Sequence, residues 1–218
     1  MTATATHDNG FNGRPSGARY LIRGGGARDV EPDLRLAVET RPDVYGPGED
    51  TYLLLRALEV RPGERVLEIG TGTGLVALHA ATIADVVATD GNPEAARLAR
   101  RNAMTNRVPL AVVRCDLFRG LRGTFDVIAF NPPYLIEKIG GDWAERAWQG
   151  GPAGDETILR FLAEAPEHLA PGGRIYLLVP ANRDRVLAAA RQRFRVRTAA
   201  EKPLFFERLL VLELAHPR

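Results

Sequence analysis

Residues 129–135, Ala-Phe-Asn-Pro-Pro-Tyr-Leu, set an amide side chain, two prolines and an aromatic ring directly behind an apolar, strand-like stretch. Proline has no backbone N–H and keeps the residue before it extended. What this segment offers at the end of a strand is therefore acceptors: the Asn131 side-chain oxygen and the Pro132 carbonyl. Two acceptors side by side match the two hydrogens of a planar NH2 group. Tyr134 adds a face on which such a flat group can stack. An amide nitrogen is a poor nucleophile because its lone pair is delocalised into the carbonyl. Hydrogen bonds to both of its N–H groups favour pyramidalisation and stabilise the positive charge that develops when it attacks an electrophile. Asn131, Pro132 and Tyr134 are thus the candidate catalytic residues, and Asn131, Pro133 and Tyr134 the candidate acceptor-binding residues.

A second group of residues precedes this one. Residues 67–74, Leu-Glu-Ile-Gly-Thr-Gly-Thr-Gly, follow another apolar run. Gly70, Gly72 and Gly74 permit a tight strand-to-helix turn and close approach of backbone to a ligand. Leu75 stands where a dinucleotide fingerprint wants glycine, and the lysine of a phosphate loop is missing. Asp90 comes twenty residues after Gly70, at the end of the next apolar run. A carboxylate there can accept from both hydroxyls of a ribose. Asp116 ends the run after that, where it can receive the exocyclic amine of an adenine. Glu68 either faces a charged ligand group or orders the glycine loop.

These residues need a scaffold that brings strand ends together. Strand-like runs lie at 66–69, 86–89, 110–114, 125–130 and 174–179, separated by helical patterns at 74–83, 93–105 and 155–169. Such alternation predicts an α/β fold with a parallel sheet covered on both faces. A helix over 48–58 precedes the first strand, and one over 182–193, capped by Asn182, follows the fifth. The last two strands, 194–199 and 208–214, are joined by about eight residues, too few for a parallel crossover, so they are predicted antiparallel. The sum is a seven-stranded, mostly parallel sheet with an antiparallel last strand. Residues 1–30 show no apolar period and are predicted to be a flexible leader, with 31–218 as one domain and a short strand at 34–38.

Composition removes several alternatives. Net charge is +2, from 29 basic and 27 acidic residues, which gives no electrostatic footprint for duplex DNA. Cys115 is the single cysteine, so an internal disulfide and a cysteine zinc site are excluded, and it is read as a packing residue. The four histidines are scattered without ligand spacing, so no metal site is expected. Ser16 is the one serine, which leaves no basis for a serine hydrolase. No apolar run reaches the ~18 residues of a membrane span, and a cytoplasmic protein is expected.

The glycine loop, Asp90, Asp116 and Asn131-Pro132-Pro133-Tyr134, in that order, resemble the class I S-adenosylmethionine-dependent methyltransferases. The resemblance implies a Rossmann-like fold and S-adenosylmethionine as cofactor. It puts Glu68 and Gly70 near the methionine end, Asp90 on the ribose, Asp116 with Leu117 around the adenine, and Asn131 where cofactor and acceptor meet. Residues 44–58 (VYGPGEDTYLLLRAL) and 147–162 (AWQGGPAGDETILRFL) look like the short archaeal and eukaryotic relatives of the bacterial HemK enzyme, which methylate a glutamine of peptide chain release factors. That family implies Thr51 at the cofactor, with Tyr45 beside it as a cover, and Asn131, Pro132 and Tyr134 around the Gln of a Gly-Gly-Gln loop. Its short members often work with a small zinc-binding activator protein. Trp143 and Trp148, on a glycine-rich stretch after the acceptor motif, fit a substrate clamp or packing on the sheet edge. One departure is Gly46, where the family often has an acid. Competing readings are a small-molecule or peptide N-methyltransferase of secondary metabolism, an RNA or DNA amino-methyltransferase, and a binding protein that uses the pocket without turnover.

Overall fold

Val66 to Ile69, Val127 to Phe130 and Ile175 to Val179 are apolar at almost every position, so both faces of these strands need cover. The structure, a computed structural model that describes residues 35–134, 154–205 and 207–217, shows how the cover is provided. In chain order its elements are α1 (Glu49–Ala57), β1 (Arg65–Ile69), α2 (Leu75–Ala80), β2 (Asp85–Asp90), α3 (Pro93–Asn106), β3 (Ala111–Arg114) and β4 (Phe125–Phe130). They continue as α4 (Glu156–His168), β5 (Leu169–Pro180), α5 (Asp184–Arg193), β6 (Arg195–Pro203) and β7 (Arg208–Ala215).

The seven strands form one sheet in the order β3-β2-β1-β4-β5-β7-β6. β1 to β5 are mutually parallel, and β7 enters antiparallel between β5 and β6. Successive residues divide between two cores, as the two-residue period of a strand requires. Val66, Val127, Ala129, Tyr176 and Leu178 meet α1, α2 and α3 on one face. Leu67, Ile128, Phe130, Ile175 and Leu177 meet α4 and α5 on the other.

Strand order runs outward from β1 through β2 to β3, then returns to β4 on the other side of β1. This reversal opens a crevice at the strand C-termini, the place where open α/β sheets take ligands. Asp90, Asp116 and Asn131 all reach that edge.

Three sequence expectations differ from the structure. β6 runs on to Pro203, so the final hairpin closes through four residues, 204–207, not eight, with the Leu204 N–H donating to the Glu207 carbonyl at 2.7 Å. Asn182 does not cap α5; Arg183 holds that position and makes no side-chain cap. The described part of the 34–38 stretch is not a strand. It is extended, but its backbone pairs with side chains of α3. Ala37 exchanges two hydrogen bonds with the Asn106 amide (2.8 and 2.7 Å), and Glu39 exchanges two with Asn102 (3.0 and 3.1 Å). Four helical residues rise about 6 Å, close to the length of two extended residues, so two amides on one helix face imitate a strand edge. The Asn102 amide also donates to the Thr73 carbonyl of the glycine loop (2.8 Å), and Asn92 to the Asp43 carbonyl (3.1 Å). The segment is thereby strapped along α3 toward the crevice, where it delivers Tyr45. The leader and both tryptophans lie outside the described residues, and no described helix is long and apolar enough to cross a membrane.

Candidate active site

A cavity of about 430 Å³ sits in the crevice, within the usual range of small-molecule pockets. Of the residues singled out in the sequence, Gly70, Gly72, Asp90, Asp116, Leu117, Asn131, Pro132, Pro133 and Tyr134 line it. Thr51, Glu68 and Gly74 do not, and Trp148 lies outside the described residues. Cys115, expected only to pack, lines the cavity as well, as do Tyr45, Asp50, Thr157 and Glu207.

At the β1 end, Gly70 has φ +66° and Gly72 φ +54°. A Cβ on Gly70 would approach the Phe130 ring to 3.3 Å, and one on Gly72 the Tyr45 carbonyl to the same distance. Gly74 serves another purpose. It starts α2 where a Cβ would meet Ala99 of α3 at 3.1 Å, so its absence lets the two helices close together.

Asp90 accepts from the backbone N–H of Gly72 at 2.9 Å and of Asn92 at 2.8 Å. One carboxylate thus ties the glycine loop to the start of α3. Burial raises its pKa against the pull of these two bonds. Asp116 is more exposed and pairs with Arg160 of α4 at 2.8 Å. A solvent-facing pair of this kind is worth up to about 1 kcal/mol, so it does not lock the carboxylate. Leu117 follows in the left-handed region, φ 47°, a strained conformation for a side chain with a Cβ. It is buried, and its carbonyl accepts from the Cys115 thiol at 3.2 Å.

Glu68 resolves to the second of its two sequence readings. It points to the α2 face, accepts from the Thr71 hydroxyl and from the Ala77 N–H at 3.0 Å, and so braces the loop from behind. Burial pushes its carboxyl from 4.5 up to about 8; the two hydrogen bonds oppose the rise and the Asp90 charge adds to it. Between those values the folded protein retains a proton that the unfolded chain has released. Glu68's contribution to stability is therefore fully present below pH 4.5 and is lost as pH rises toward 8, by up to about 1.4 kcal/mol per pH unit. In urea melts at pH 5 and pH 7.5, the wild-type midpoint is expected to fall with pH, and that of Glu68→Gln to fall less. Identical slopes would remove Glu68 as the source.

The acceptor end depends on a residue that was not singled out in the sequence. Asp50 is 4% exposed, although it sits at the start of α1. Its Oδ1 accepts from the Thr51 N–H at 2.7 Å and from the Thr51 hydroxyl at 3.3 Å. Its Oδ2 accepts from the Tyr45 hydroxyl at 2.5 Å and from the Asn131 amide nitrogen at 3.0 Å. A carboxylate offers acceptors only, so it fixes which end of the Asn131 amide faces it. The other end, Oδ1, is left buried and without a partner. Thr51 is committed locally, its hydroxyl accepting from the Gly48 N–H at 3.2 Å. Tyr45 and Tyr134 both have pKa values raised above the ordinary tyrosine value, by burial first and by Asp50 next, through its hydrogen bond to Tyr45 and its charge beside Tyr134. Both hydroxyls therefore remain protonated donors at neutral pH. A Cβ at Gly46 would meet nothing within 4 Å, so the family's acid would have room there. The signal for Asp50 in the sequence was weak: it stands 81 residues from Asn131.

A mostly parallel sheet that reverses its order at β1, with carboxylates at successive strand ends and an acceptor-rich Asn-Pro-Pro-Tyr corner on the same cavity, defines a Rossmann-like methyltransferase. Residues 35–203 match the family described as methyltransferase small domain, and the chain belongs to that family. A provisionally named protein N5-glutamine methyltransferase of Methanocaldococcus jannaschii is 37% identical over 186 residues, covering 81% of this chain and 94% of that one. Methyltransferase HEMK2 of Mus musculus is 42% identical over 152 residues, covering 62% of this chain and 71% of that one. Among solved structures, the E. cuniculi Mtq2–Trm112 complex, described as responsible for methylation of the eRF1 translation termination factor, aligns with a TM-score of 0.65. It is 31% identical and the match covers 80% of this chain and 99% of that one.

Proposed function

We propose that this chain is an S-adenosylmethionine-dependent methyltransferase whose acceptor is the side-chain N5 of a glutamine in a peptide chain release factor. The observation that carries the reading is the Asn131 amide: its nitrogen is held by Asp50 and its oxygen is a buried acceptor without a partner. Such an oxygen costs free energy unless a donor meets it, and an incoming NH2 group is that donor. The names borne by the archaeal relative and the eRF1-modifying neighbour support glutamine and a release factor as the source of that NH2.

The cavity suits the cofactor on its own chemistry. Asp90 and Asp116 present carboxylate acceptors where hydroxyls and an amine would need them, and the bare Gly70 and Gly72 leave backbone accessible. When bound, S-adenosylmethionine supplies an electrophilic methyl group on a sulfonium. The protein's own contribution is positioning and charge. Asn131 Oδ1 and the Pro132 carbonyl hold the two acceptor hydrogens and stabilise the charge that develops on nitrogen. Tyr134 provides the stacking face, and Asp50 keeps the Asn131 amide turned the right way. Neither tyrosine is a base at neutral pH, and none is needed: the N-methylated amide carrying the extra proton is a strong acid and loses it to water.

A small activator protein belongs to the same proposal, zinc-binding by resemblance. Two of the four exposed large apolar side chains among the described residues lie near the β3 edge: Val113 (39%) on the strand, and Met104 (80%) on α3, in a groove it shares with Arg100, Ala103, Arg107, Val108, Pro109 and Leu110. The substrate would place the enzyme in the cytoplasm. The test is incubation of the purified chain with methyl-labelled S-adenosylmethionine and release factor, with and without the activator, followed by fragment mass mapping. Label on the Gln of the Gly-Gly-Gln loop is expected. Label only on RNA or on a small molecule would overturn the assignment.

A further inference from the structure

The segment 147–162 was singled out by resemblance, yet Asp155 lines no part of the cavity and has no role in the chemistry above. It is nevertheless buried, its side chain 7% exposed, at the start of α4. Its Oδ1 has no hydrogen-bond partner, and Arg183 Nη1 lies 3.6 Å away, with Arg185 Nη1 3.9 Å from Oδ2. The same Arg183 guanidinium donates through Nη2 to the carbonyl of Tyr134, the last residue of the acceptor motif. Gly154 fits between them. It has φ +80°, and a Cβ there would meet the Tyr134 oxygen at 2.8 Å and the Arg183 Nη atoms at 3.2 and 3.3 Å.

We infer that Arg183 and Asp155 form a positioning clamp for the acceptor side of the cavity. The chain leaves the described core at Tyr134 and re-enters it at Gly154, and Arg183 holds both points at one place. Its planar fork suits this task because separate N–H groups reach different partners from one rigid plane. Through the Tyr134 carbonyl it sets the peptide that carries the stacking ring. Through Asp155 it sets the first turn of α4, whose Thr157 lines the cavity. Arg183 itself lines no part of the cavity, so it acts through Tyr134 and not on the reacting atoms.

The inference rests on the acceptor reading for its kinetic arm, and a second arm is independent of it. In Arg183→Met, kcat/KM for the release factor is expected to fall on the order of a hundredfold, with the S-adenosylmethionine dissociation constant within about twofold of wild type. Arg183→Lys keeps the charge without the fork and should recover part of the loss. Asp155→Asn should resemble Arg183→Met more weakly. Hydrogen exchange should rise in peptides covering 130–134 and 154–160 and stay unchanged over β1 and β2. Unchanged kcat/KM in a folded Arg183→Met protein would overturn the clamp, as would cofactor affinity falling by the same factor. Should wild type fail to label the release factor, the acceptor assignment falls alone; the exchange data still decide the clamp, and unchanged protection at both segments would reject it.

Discussion

Replacing Asn131 by alanine is expected to lower the rate of methyl transfer by roughly 10² to 10³ while leaving the cofactor dissociation constant within about twofold. The size follows from what is removed. Asn131 Oδ1 is a preorganised acceptor, already buried and already turned by Asp50, so no reorganisation is needed when charge develops on the acceptor nitrogen. Preorganised groups of this kind contribute about 3–4 kcal/mol to a transition state, much more than the same bond in water. The effect should fall mainly on kcat, because the charge it stabilises is absent from the ground state. Asp90→Ala is the contrasting variant. It removes the acceptor for the Gly72 and Asn92 N–H groups, so it should weaken cofactor binding first. Calorimetry with S-adenosylmethionine and single-turnover kinetics separate the two. If Asn131→Ala lost cofactor affinity while Asp90→Ala lost only rate, the division of the cavity into cofactor and acceptor ends would be wrong.

The second large effect is expected at Asp50. Four donors converge on its two oxygens: the Thr51 N–H and hydroxyl, the Tyr45 hydroxyl and the Asn131 amide. In Asp50→Asn one of those oxygens becomes an NH2 group. If that group faces Asn131, two donors confront each other and the Asn131 amide turns over. Its own NH2 then meets the NH2 of the acceptor. If the new group faces Thr51 instead, the first turn of α1 loses the acceptor for its backbone N–H. A fall in kcat on the order of a hundredfold is expected from the first outcome, in a protein that still binds S-adenosylmethionine. Pairing the two substitutions is more informative than either alone. Asp50→Asn in an Asn131→Ala background should cost little further rate, because the side chain it positions has gone. Full additivity of the two losses would show that Asp50 acts on the acceptor directly.

Much of this architecture could be read locally. Nearly unbroken apolar runs at 66–69, 127–130 and 175–179 demand cover on both faces, and the short link before β7 demands an antiparallel partner. Gly70, Gly72, Asp90, Asp116 and Asn131 gather at one cavity because each stands at or just beyond the C-terminal end of a strand of the same parallel sheet. Strand direction alone fixes that edge.

The tertiary structure decided how side chains far apart in the chain are used. As a first-turn acid, Asp50 is accounted for locally by the positive end of the helix dipole, and nothing in α1 indicates that its other oxygen holds Asn131. Arg183 reads as one arginine among many until the fold brings it to Tyr134 and Asp155. The 35–40 segment has the extended character of a strand, yet its partners are Asn102 and Asn106 on a helix, so no sheet period announces them. Periodicity records which face of an element is buried, since burial repeats along the chain. It does not record which donor meets which acceptor across the fold, since that pairing is settled once, by packing, between residues that share no local pattern.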